Sequence, residues 1–500
     1  MTSAILTDFP AWLRIEHFVN ILFVTLFIRS GIEILGTFPK LHTSVHTPIG
    51  GQWAQFTVKS KRKRKYYPVS GEYENFSPIV SLPGYGLLGQ GRYWHFISVM
   101  GWLILLVAYW ALLLITGQWR RYWPADWGVF SQAFHDIASY MAFQVPPAME
   151  GYPFNAVQQL SYGFVVLILP TVMIITGLFQ SPAVNNHFPR IATLMGGRQV
   201  IRTIHFLGLV AYVVFIVIHV VMVILHGYGH EVSKMVFGHA DSPIAGGIIF
   251  TTGLLLIVWF HIWATKTSIH KPRVIERLHN AVVRPLTRGL RKLPSRQFHA
   301  KEKVTPWGEH RSSGMPPSSE EYMAMYCNDF RDDFVLEIGG LVENPMRLTI
   351  SDLEDLAQGH AQNTVHHCVQ GFSSLGRWNG VPLGQILDLA RPLDGWTDVA
   401  VLSFQNMTRD DDNYNGSYYF ETVSKEEALQ PQSLIATGYD DRELPVISGA
   451  PCRLRLETST GFRSAKWIER IEVVNRFDII GNGKGGFFED TDSYDRLQMI

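Results

Sequence analysis

The feature that most constrains the fold is a set of five long apolar segments in the first half of this 500-residue chain. A helix needs ~20 apolar residues to cross a bilayer, and Trp and Tyr cluster near the segment ends, as in the interfacial belts of membrane proteins. Without water to satisfy backbone groups, a bilayer admits only helices or closed barrels. The first half therefore predicts an all-α bundle of five transmembrane helices. The segments cover residues 17–36, 95–116, 158–179, 203–226 and 246–265.

Four histidines fall at matching depths in these segments. His205 and His219 share the fourth segment, and fourteen residues separate them by roughly 21 Å along one helix face. His17 begins the first segment and His95 begins the second. Because successive spans alternate in direction, His17 lies at the depth of His219, and His95 lies at the depth of His205. Ionisable residues inside a bilayer usually mark function, so the two pairs indicate two haems, each held by two histidines. The alternative for any one of them is a hydrogen-bonded structural histidine.

The connector between the first two spans carries the basic run KSKRKRKYY. Such a run is compatible with nucleic acid, but next to membrane helices it is more typical of the cytoplasmic face, so we expect no nucleic-acid partner. Five spans place 22 Lys and Arg on the side of the C-terminal half and 4 on the other side. The positive-inside rule then predicts a cytoplasmic soluble domain on a multi-pass protein of the inner membrane. Neither a twin-arginine pair nor a cleavage site is visible near the N-terminus, so the first segment is predicted to be retained.

The pattern along the chain predicts three regions. Residues 1–265 form the membrane domain, which includes a surface amphipathic helix in WGVFSQAFHDIASYMAF. Residues 266–318 are basic and rich in Pro and Ser and are predicted as a linker. Residues 319–500 read as a soluble α+β domain: strands flank a turn at residues 343–345, a capping box at Ser351–Glu354 opens a helix, and CRLRLETS and WIERIEVV are further strands.

Cysteine usage excludes a disulfide framework, since the three cysteines are few and odd in number. Cys368 lies between the strand-like TVHH and a glycine turn at Gly371. A thiolate there suits a transition metal, whereas the alternative is a buried, inert thiol. With no second cysteine nearby, zinc and iron–sulfur clusters are disfavoured.

Residues 10–230 resemble the di-haem cytochrome b subunits of formate dehydrogenases and nickel-iron hydrogenases. The resemblance is carried by RIEHFVN, RYWHF, FNAVQQLSYGF with LPTVMIITGL, and the His205/His219 pair. It implies two b-type haems with the pairing given above, and a membrane quinone as electron partner near Asn155. In the formate dehydrogenases the quinone-side haem is cytoplasmic, whereas the charge count here places it on the outer face. Four other histidines are predicted as interfacial or hydrogen-bonded residues: His226, His230, His239 and His261.

Residues 320–475 resemble the sulfite-oxidase fold of molybdopterin-binding oxidoreductases. Four motifs occur in the family's order: IGGLVENPMRLTISDLEDL, HHCVQGFSSLGRWNGVPLGQIL, SGAPCRLRL and GFRSAKWIERIEVV. The resemblance implies that Cys368 binds molybdenum and that the segment Gly461–Trp467 holds the pterin phosphate. Its expected contacts are Gly461, Phe462, Arg463, Ser464 and Lys466, with His366 or His367 hydrogen-bonding the pterin. GSYYFETVSKEEAL resembles the stretch that brings a tyrosine to the metal, and either Tyr418 or Tyr419 fits. On this resemblance we expect no further immunoglobulin-like domain of the kind found in animal and plant sulfite oxidases, and in this the chain would be closer to bacterial reductases of oxidised methionine.

Together these patterns predict a membrane-bound molybdenum oxidoreductase that transfers an oxygen atom to or from a small substrate, for which a sulfur-containing compound is one option. Two b haems would carry electrons to or from the quinone pool, with the His95/His205 haem as direct partner of the soluble domain. The alternative is a cytochrome b anchor whose soluble domain only docks an electron-transfer partner. The direction of electron flow and a homodimer stay open.

Overall fold

The computed structural model describes most of the chain, with gaps that include the basic run of the first connector. The described residues are 9–57, 73–124, 126–296, 304–305, 311–312, 314–407, 418–491 and 494–496. The prediction for KSKRKRKYY therefore lies outside the described residues.

Five helices in the described residues are long and apolar enough to cross a membrane, which confirms the predicted number of spans. Several begin before the apolar segments, since the polar first turns reach beyond the predicted spans. Helices of the membrane region are α1 Ala11–Thr37, α2 Leu88–Ile115, α3 Gly128–Met141, α4 Ala156–Gly163, α5 Leu169–Leu178, α6 Pro182–His187, α7 Pro189–Leu194, α8 Gly197–Leu225, α9 Tyr228–Phe237, α10 Pro243–His270, α11 Pro272–Val282 and α12 Arg284–Arg291.

The third span is built from α4 and α5, joined by a π-helical turn at Phe164–Ile168. Pro170 lies just beyond that turn, and proline removes a donor and clashes with the carbonyl one turn earlier. The wider turn accommodates this clash without ending the helix. Asn155 caps the span: its side chain accepts from the Gln158 amide, and the Gln158 side chain accepts from the Asn155 amide.

Two stretches outside the spans are helical. Helix α3 coincides with the predicted surface helix, with Val129 and Ala133 buried and Phe130 and Phe134 exposed. The segment predicted as a linker contains α11 and α12, which pack against the membrane bundle through the buried side chain of Ile275. The segment was predicted as a linker because it is rich in arginine, and the helical spacing of its apolar residues was not used.

The C-terminal region folds into two five-stranded sheets with short helices around them. The strands of this region are β3 Val335–Gly340, β4 Met346–Thr349, β5 Ala361–His367, β6 Ser373–Pro382, β7 Asp398–Asn406, β8 Tyr418–Ser424, β9 Leu434–Tyr439, β10 Arg442–Glu443, β11 Arg453–Arg455 and β12 Ile468–Val474; β1 Lys40–Leu41 and β2 Ala54–Gln55 form a ribbon in the first connector. Among the described residues, one sheet has the order β10–β9–β6–β5, and β11 pairs with β9. The other sheet has the order β4–β3–β12–β7–β8, in which β12 and β3 run parallel. The helices of this region are α13 Glu320–Cys327, α14 Ile350–Leu356, α15 Leu383–Ala390, α16 Lys425–Ala428 and α17 Phe487–Thr491.

The strands predicted around residues 343–345 and in the last two motifs are present. The predicted cap of α14 is wrong by two residues: Thr349 caps the helix, with Asp352 as its reciprocal partner. Thr349 lies in the segment predicted as a strand, and it is both the last residue of that strand and the cap of the helix.

Candidate functional site

The structure brings the four membrane histidines together in the predicted pairs. The ring centroids of His17 and His219 are 6.2 Å apart, and those of His95 and His205 are 6.4 Å apart. Metal–imidazole bonds are about 2 Å long, so two rings on opposite sides of one metal ion have centroids roughly 6 Å apart. Both spacings therefore fit a haem iron between two imidazoles.

Hydrogen bonds orient the His95/His205 pair. The Ser30 hydroxyl lies 3.0 Å from His95 Nδ1, and the Thr176 hydroxyl lies 2.9 Å from His205 Nδ1. Each hydroxyl donates its own hydrogen to a carbonyl one turn earlier in its helix, so it accepts from the imidazole Nδ1–H. This tautomer leaves the Nε2 lone pair of each histidine available to a metal, as is usual for histidine ligands.

The other histidines of the region have different surroundings. Both ring nitrogens of His261 are hydrogen-bonded, to the hydroxyl of Thr25 and the guanidinium of Arg29, each at 2.8 Å. This agrees with the hydrogen-bonded role predicted for His261. The ring of His226 stacks on Tyr140, and its buried Nε2 makes no hydrogen bond within the described part of the chain.

Asn155, predicted near a quinone, is buried and its side chain is used twice. Its oxygen caps the third span, and its Nδ2 donates to the Tyr140 hydroxyl at 2.7 Å. Tyr140 in turn stacks on His226. The sequence did not predict that Tyr140 and His226 lie near Asn155. The helix α3, which carries Tyr140, was predicted only as a surface helix.

Cys368 directly follows β5, in a tight loop that returns into β6. The loop is closed by a hydrogen bond from the Cys368 amide to the Phe372 carbonyl, and Gly371 has a φ of 115°, which favours glycine. The thiol is buried, and burial raises the pKa of Cys368 to about 11. A metal bound there would displace that proton, because a coordinating thiol is deprotonated.

The Cys368 loop (residues 368–373) docks on the first turn of α8, the helix that carries His205. Arg198 donates to the carbonyls of Cys368 at 3.2 Å and Phe372 at 3.4 Å, and Gln199 donates to the carbonyl of Gly371 at 2.9 Å. A small apolar cluster including Val369 and Leu88 closes the contact. The His95/His205 pair was predicted to lie on the side of the soluble domain. The contacts between the Cys368 loop and the helix that carries His205 agree with this prediction.

Two buried arginines that bond to no carboxylate within the described residues lie close to the cysteine loop, since Arg455 bonds to His366, two residues before Cys368. Arg453 and Arg455 are 2% and 1% exposed and stack on the Trp378 ring at 5.0 and 4.7 Å. Their hydrogen bonds within the described residues go to neutral oxygens and to His366 Nδ1. Burial lowers the pKa of Arg453 to about 9 and that of Arg455 to about 10. Glu457 is the acid whose charge would act on Arg455. Burial raises the pKa of Glu457 to about 8, so its carboxyl group is mostly uncharged near neutral pH.

Such a site fits an anionic group. Leaving a buried charge unpaired costs several kcal/mol, roughly 3–5 when one partner of a pair is removed. A phosphate and thiolate-bearing cofactor would supply the missing negative charge beside Cys368. The alternation of CRLRL points both arginines to the same side of β11. This alternation was the available sequence signal for two residues that were not predicted as part of the site.

The GFRSAKW segment lies beside this cationic cluster. Its first residue, Gly461, packs so close to His366 that a Cβ atom would lie 2.4 Å from His366 Nε2. Lys466 Nζ donates to the Ser312 hydroxyl and the Ile447 carbonyl, and burial and the charge of Arg453 lower its pKa well below the usual range.

Ser464 and Phe462 have structural contacts in the same segment. The Leu456 amide donates to the Ser464 hydroxyl at 3.3 Å. Phe462 stacks on Tyr494 with centroids 5.0 Å apart. The second histidine of the motif, His367, is buried and bonds through Nδ1 to the Ser373 hydroxyl at 3.0 Å.

Arg463 is buried and forms ion pairs with two glutamates of the same domain. Its guanidinium bonds to Glu421 at 2.9 Å and Glu427 at 2.7 Å, and all three side chains are at most 2% exposed. The charges of these carboxylates raise the pKa of Arg463 despite its burial. The geometry thus favours Arg453, Arg455 and Lys466 over Arg463 as phosphate partners.

The two candidate tyrosines have contrasting positions at the start of β8. Tyr418 is 50% exposed, whereas Tyr419 is 6% exposed and its hydroxyl donates to the carbonyl of Phe462. Phe462 also packs against the cluster that contains Cys368. Tyr419 is therefore the tyrosine on the cysteine side.

Two family models match the chain, one in each half. The model described as prokaryotic cytochrome b561 matches residues 8–238, and the model described as oxidoreductase molybdopterin binding domain matches residues 323–478. The chain thus joins a cytochrome b domain of membrane helices to an α+β oxidoreductase domain that binds molybdopterin. The finer resemblance to formate dehydrogenase subunits stays a prediction.

Similar proteins include reductases of oxidised methionine. A putative protein-methionine-sulfoxide reductase subunit YedZ1 from Azospira oryzae is 32% identical over 31% of this chain and 53% of its own length. The protein-methionine-sulfoxide reductase catalytic subunit MsrP from Gluconobacter oxydans is 33% identical over 28% of this chain and 47% of its own length. The chain thus spans about half the length of the curated relatives it matches. A crystal structure of the sulfane dehydrogenase SoxCD from Paracoccus pantotrophus matches 36% of this chain and 46% of that chain at 21% identity, with a TM-score of 0.26, too low to show a shared fold.

Proposed function

We propose that this protein is a membrane-bound molybdenum oxidoreductase that exchanges electrons between a small substrate and the quinone pool. When bound, molybdenum supplies two-electron oxygen-atom transfer and the haems supply single-electron transfer. The observation that carries the proposal is the docking of the Cys368 loop on the helix that holds His205. That contact joins the two predicted metal sites in one chain.

The residues around Cys368 have distinct tasks in this proposal. The Cys368 sulfur would ligate molybdenum, while Arg453, Arg455 and Lys466 would neutralise the pterin and its phosphate. The ring of Trp378 holds both arginines by cation–π contact. Arg463, tied to its two carboxylates, would hold the GFRSAKW segment in place as a positioning residue.

Tyr419 is our choice for the substrate-facing tyrosine. Its hydroxyl is buried next to Phe462, and burial together with the charge of Glu421 raises its pKa well above the usual value. The hydroxyl therefore stays protonated near neutral pH, and it would donate its hydrogen to a substrate oxygen in exchange for the Phe462 carbonyl that accepts it here. His366, bonded to Arg455 through Nδ1, can bond the pterin through Nε2, and His367 is the alternative.

For the substrate we propose a sulfoxide, with methionine sulfoxide as the first compound to test. The support is that two similar proteins are named as reductases of that group. In this direction quinol donates two electrons, one oxygen leaves the sulfur as water after taking up two protons, and the thioether remains. Oxidation of a sulfite-type substrate would run electrons the other way.

Quinone would bind on the side of the His17/His219 pair. Tyr140 and His226 support this, because the buried Nε2 of His226 has no hydrogen-bond partner among the described residues, and Tyr140, on which His226 stacks, bonds to Asn155. A hydroxyl, an amide and an imidazole can together bond a quinone carbonyl and take or return its proton. Two haems, each held by one histidine pair, would connect this side with the Cys368 loop.

The decisive experiment compares purified wild-type protein with Cys368→Ser. We expect two iron and one molybdenum per wild-type chain, with haems that reoxidise when a sulfoxide is added. Cys368→Ser should leave the haem spectrum intact and abolish reoxidation. Two iron without molybdenum, from cells that make the cofactor, would instead favour the rival function, a cytochrome b anchor that docks a separate partner.

We also propose that the soluble domain lies in the cytoplasm, on the strength of the 22 to 4 distribution of Lys and Arg. A reporter fused after Ile500 should then be active only in its cytoplasm-dependent form. A homodimer stays a prediction, since the docking contacts described here lie within one chain.

A further inference from the structure

Helices α11 and α12 form a strap, residues 272–291, around the membrane bundle. One sector of the strap is buried: Ile275 is 0% exposed, Val283 is 1% exposed, and the His279 ring packs on Tyr93 at 4.3 Å. Tyr93 lies two residues before His95. The strap therefore packs against the bundle at the membrane end that carries the soluble domain.

A second sector of the strap exposes apolar side chains at regular spacing. Val274, Leu278, Val282 and Leu286 follow one another every four residues, and each is 36–43% exposed. At ~100° per residue this row lies next to the buried sector and on one side of the strap. The strap starts two residues after the last span ends at His270. An apolar row at this height lies where headgroups meet acyl chains.

The third sector is cationic and lines a cavity of about 470 Å³. Arg273, Glu276, Arg277 and Asn280 form one wall, and Asn482, Lys484 and Asp490 from the C-terminal region form the other. Lys484 bonds to Glu276 at 3.2 Å. The Asp490 carboxylate accepts from the backbone amides of residues 482 and 484.

The other charged residues of the cavity bond to one another or to the backbone, whereas two arginines do not. Within the described part of the chain, neither Arg273 nor Arg277 makes a hydrogen bond or ion pair, although both line the cavity. They are four residues apart, so their guanidinium groups lie side by side on α11. Two guanidiniums beside amide side chains form a donor set that suits a phosphate.

We propose that this cavity binds the phosphate of an anionic phospholipid from the surrounding bilayer. The acyl chains would lie along the row Val274, Leu278 and Val282, while Arg273 and Arg277 hold the headgroup. The lipid would thereby contact the soluble domain through the Lys484 wall. This site is independent of the haem and molybdenum assignments, because none of its residues belongs to them.

The test uses full-length protein in detergent and native mass spectrometry with added phosphatidylglycerol or phosphatidylcholine. We expect wild-type protein to retain phosphatidylglycerol preferentially. Arg273→Gln combined with Arg277→Gln should lower that affinity about tenfold or more, since hydrogen bonds to charged groups contribute ~1.5–3 kcal/mol. Arg288→Gln, an exposed arginine of the same strap outside the cavity, is the matched control and should stay within about twofold of wild type.

Three results would overturn the proposal: equal retention of both lipids by wild-type protein, an equal loss in the control variant, or complete displacement of the lipid by inorganic phosphate at millimolar concentration. The second would indicate only a diffuse basic surface, and the third would indicate a site for a free anion. Far-UV circular dichroism of each variant separates these results from a folding defect.

Discussion

Replacing Gln199 by Leu tests whether docking between the two domains is needed for electron exchange. Gln199 is fully buried and donates to the Gly371 carbonyl at 2.9 Å and the Ser373 hydroxyl at 3.0 Å. The Ser373 hydroxyl keeps other partners, including His367, but the substitution removes this donor from the Gly371 carbonyl. Loss of a buried partner costs ~1–3 kcal/mol, so the docked state should weaken about 5–150-fold.

Hydrogen exchange can measure this change directly. The Thr47 amide, in the connector of the membrane half, donates to the Ser373 carbonyl at 3.1 Å across the contact. Its exchange rate reports the opening equilibrium when reclosing is fast, so it should rise about 5–150-fold in the variant. The rate at which a sulfoxide oxidises the reduced haems should fall in parallel.

Gln159→Leu is the matched control, because Gln159 is also fully buried in the membrane half and donates to the Trp123 carbonyl at 3.3 Å, away from the docking contact. It should leave the Thr47 exchange rate unchanged. The reasoning fails if Gln199→Leu does not change that rate, or if both variants change it equally.

Three further predictions concern other parts of the molecule. On the proposal that each histidine pair holds one haem, His205→Ala should remove one haem and leave the other, so absorbance of the reduced α-band should fall by about half; loss of the whole spectrum would contradict independent sites. Glu457 is buried and its folded pKa of about 8 exceeds its unfolded value, so its contribution to stability is present below the unfolded pKa and is lost as pH rises through about 8. Glu457→Gln should therefore flatten the decline in unfolding midpoint between pH 5 and 8, and an unchanged decline would assign it to other groups. Arg463→Met should lower the free energy of unfolding by about 3–5 kcal/mol by leaving two buried carboxylates unpaired, whereas Lys466→Met should chiefly reduce molybdenum content; the opposite ranking in chemical unfolding would return the phosphate role to Arg463.

The spans and the histidine pairs could be predicted because both depend on local periodicity. Hydropathy gave the five spans, and helical phase with alternating direction paired His17 with His219. The ends were less predictable: α2 begins at Leu88, seven residues before His95, because packing against the soluble domain extends the helix beyond the bilayer. Composition gave the wrong prediction for the strap, because its many arginines suggested a linker. The spacing of its apolar residues every four positions would have predicted a helix.

The cationic surroundings of Cys368 were beyond local patterns. Arg453 lies in a predicted strand and Arg198 lies in the connector before the predicted fourth span, and only the fold shows that both are buried beside the Cys368 loop or its neighbouring strands. Sequence motifs pointed to Arg463 because it lies in the family segment, yet its two carboxylate partners come from β8 and α16. Which of several arginines pairs with a protein acid depends on tertiary contacts that no single segment contains.

Helix α8 connects the two halves of the proposed function by its own rigidity. Gln199 contacts the Cys368 loop, His205 follows six residues later, and His219 follows fourteen residues after that. At ~1.5 Å per residue these positions lie roughly 9 Å and 30 Å from the contact along one axis. Separate protein subunits would have to find this alignment at each encounter, and encounter geometry limits association rates to about 10⁵–10⁷ M⁻¹s⁻¹. Within one chain the alignment is set by the helix, so the docking contacts need only hold the Cys368 loop against its first turn. Three of these contacts are directed at the backbone carbonyls of Cys368, Gly371 and Phe372, which fix the position of the loop independently of its side chains.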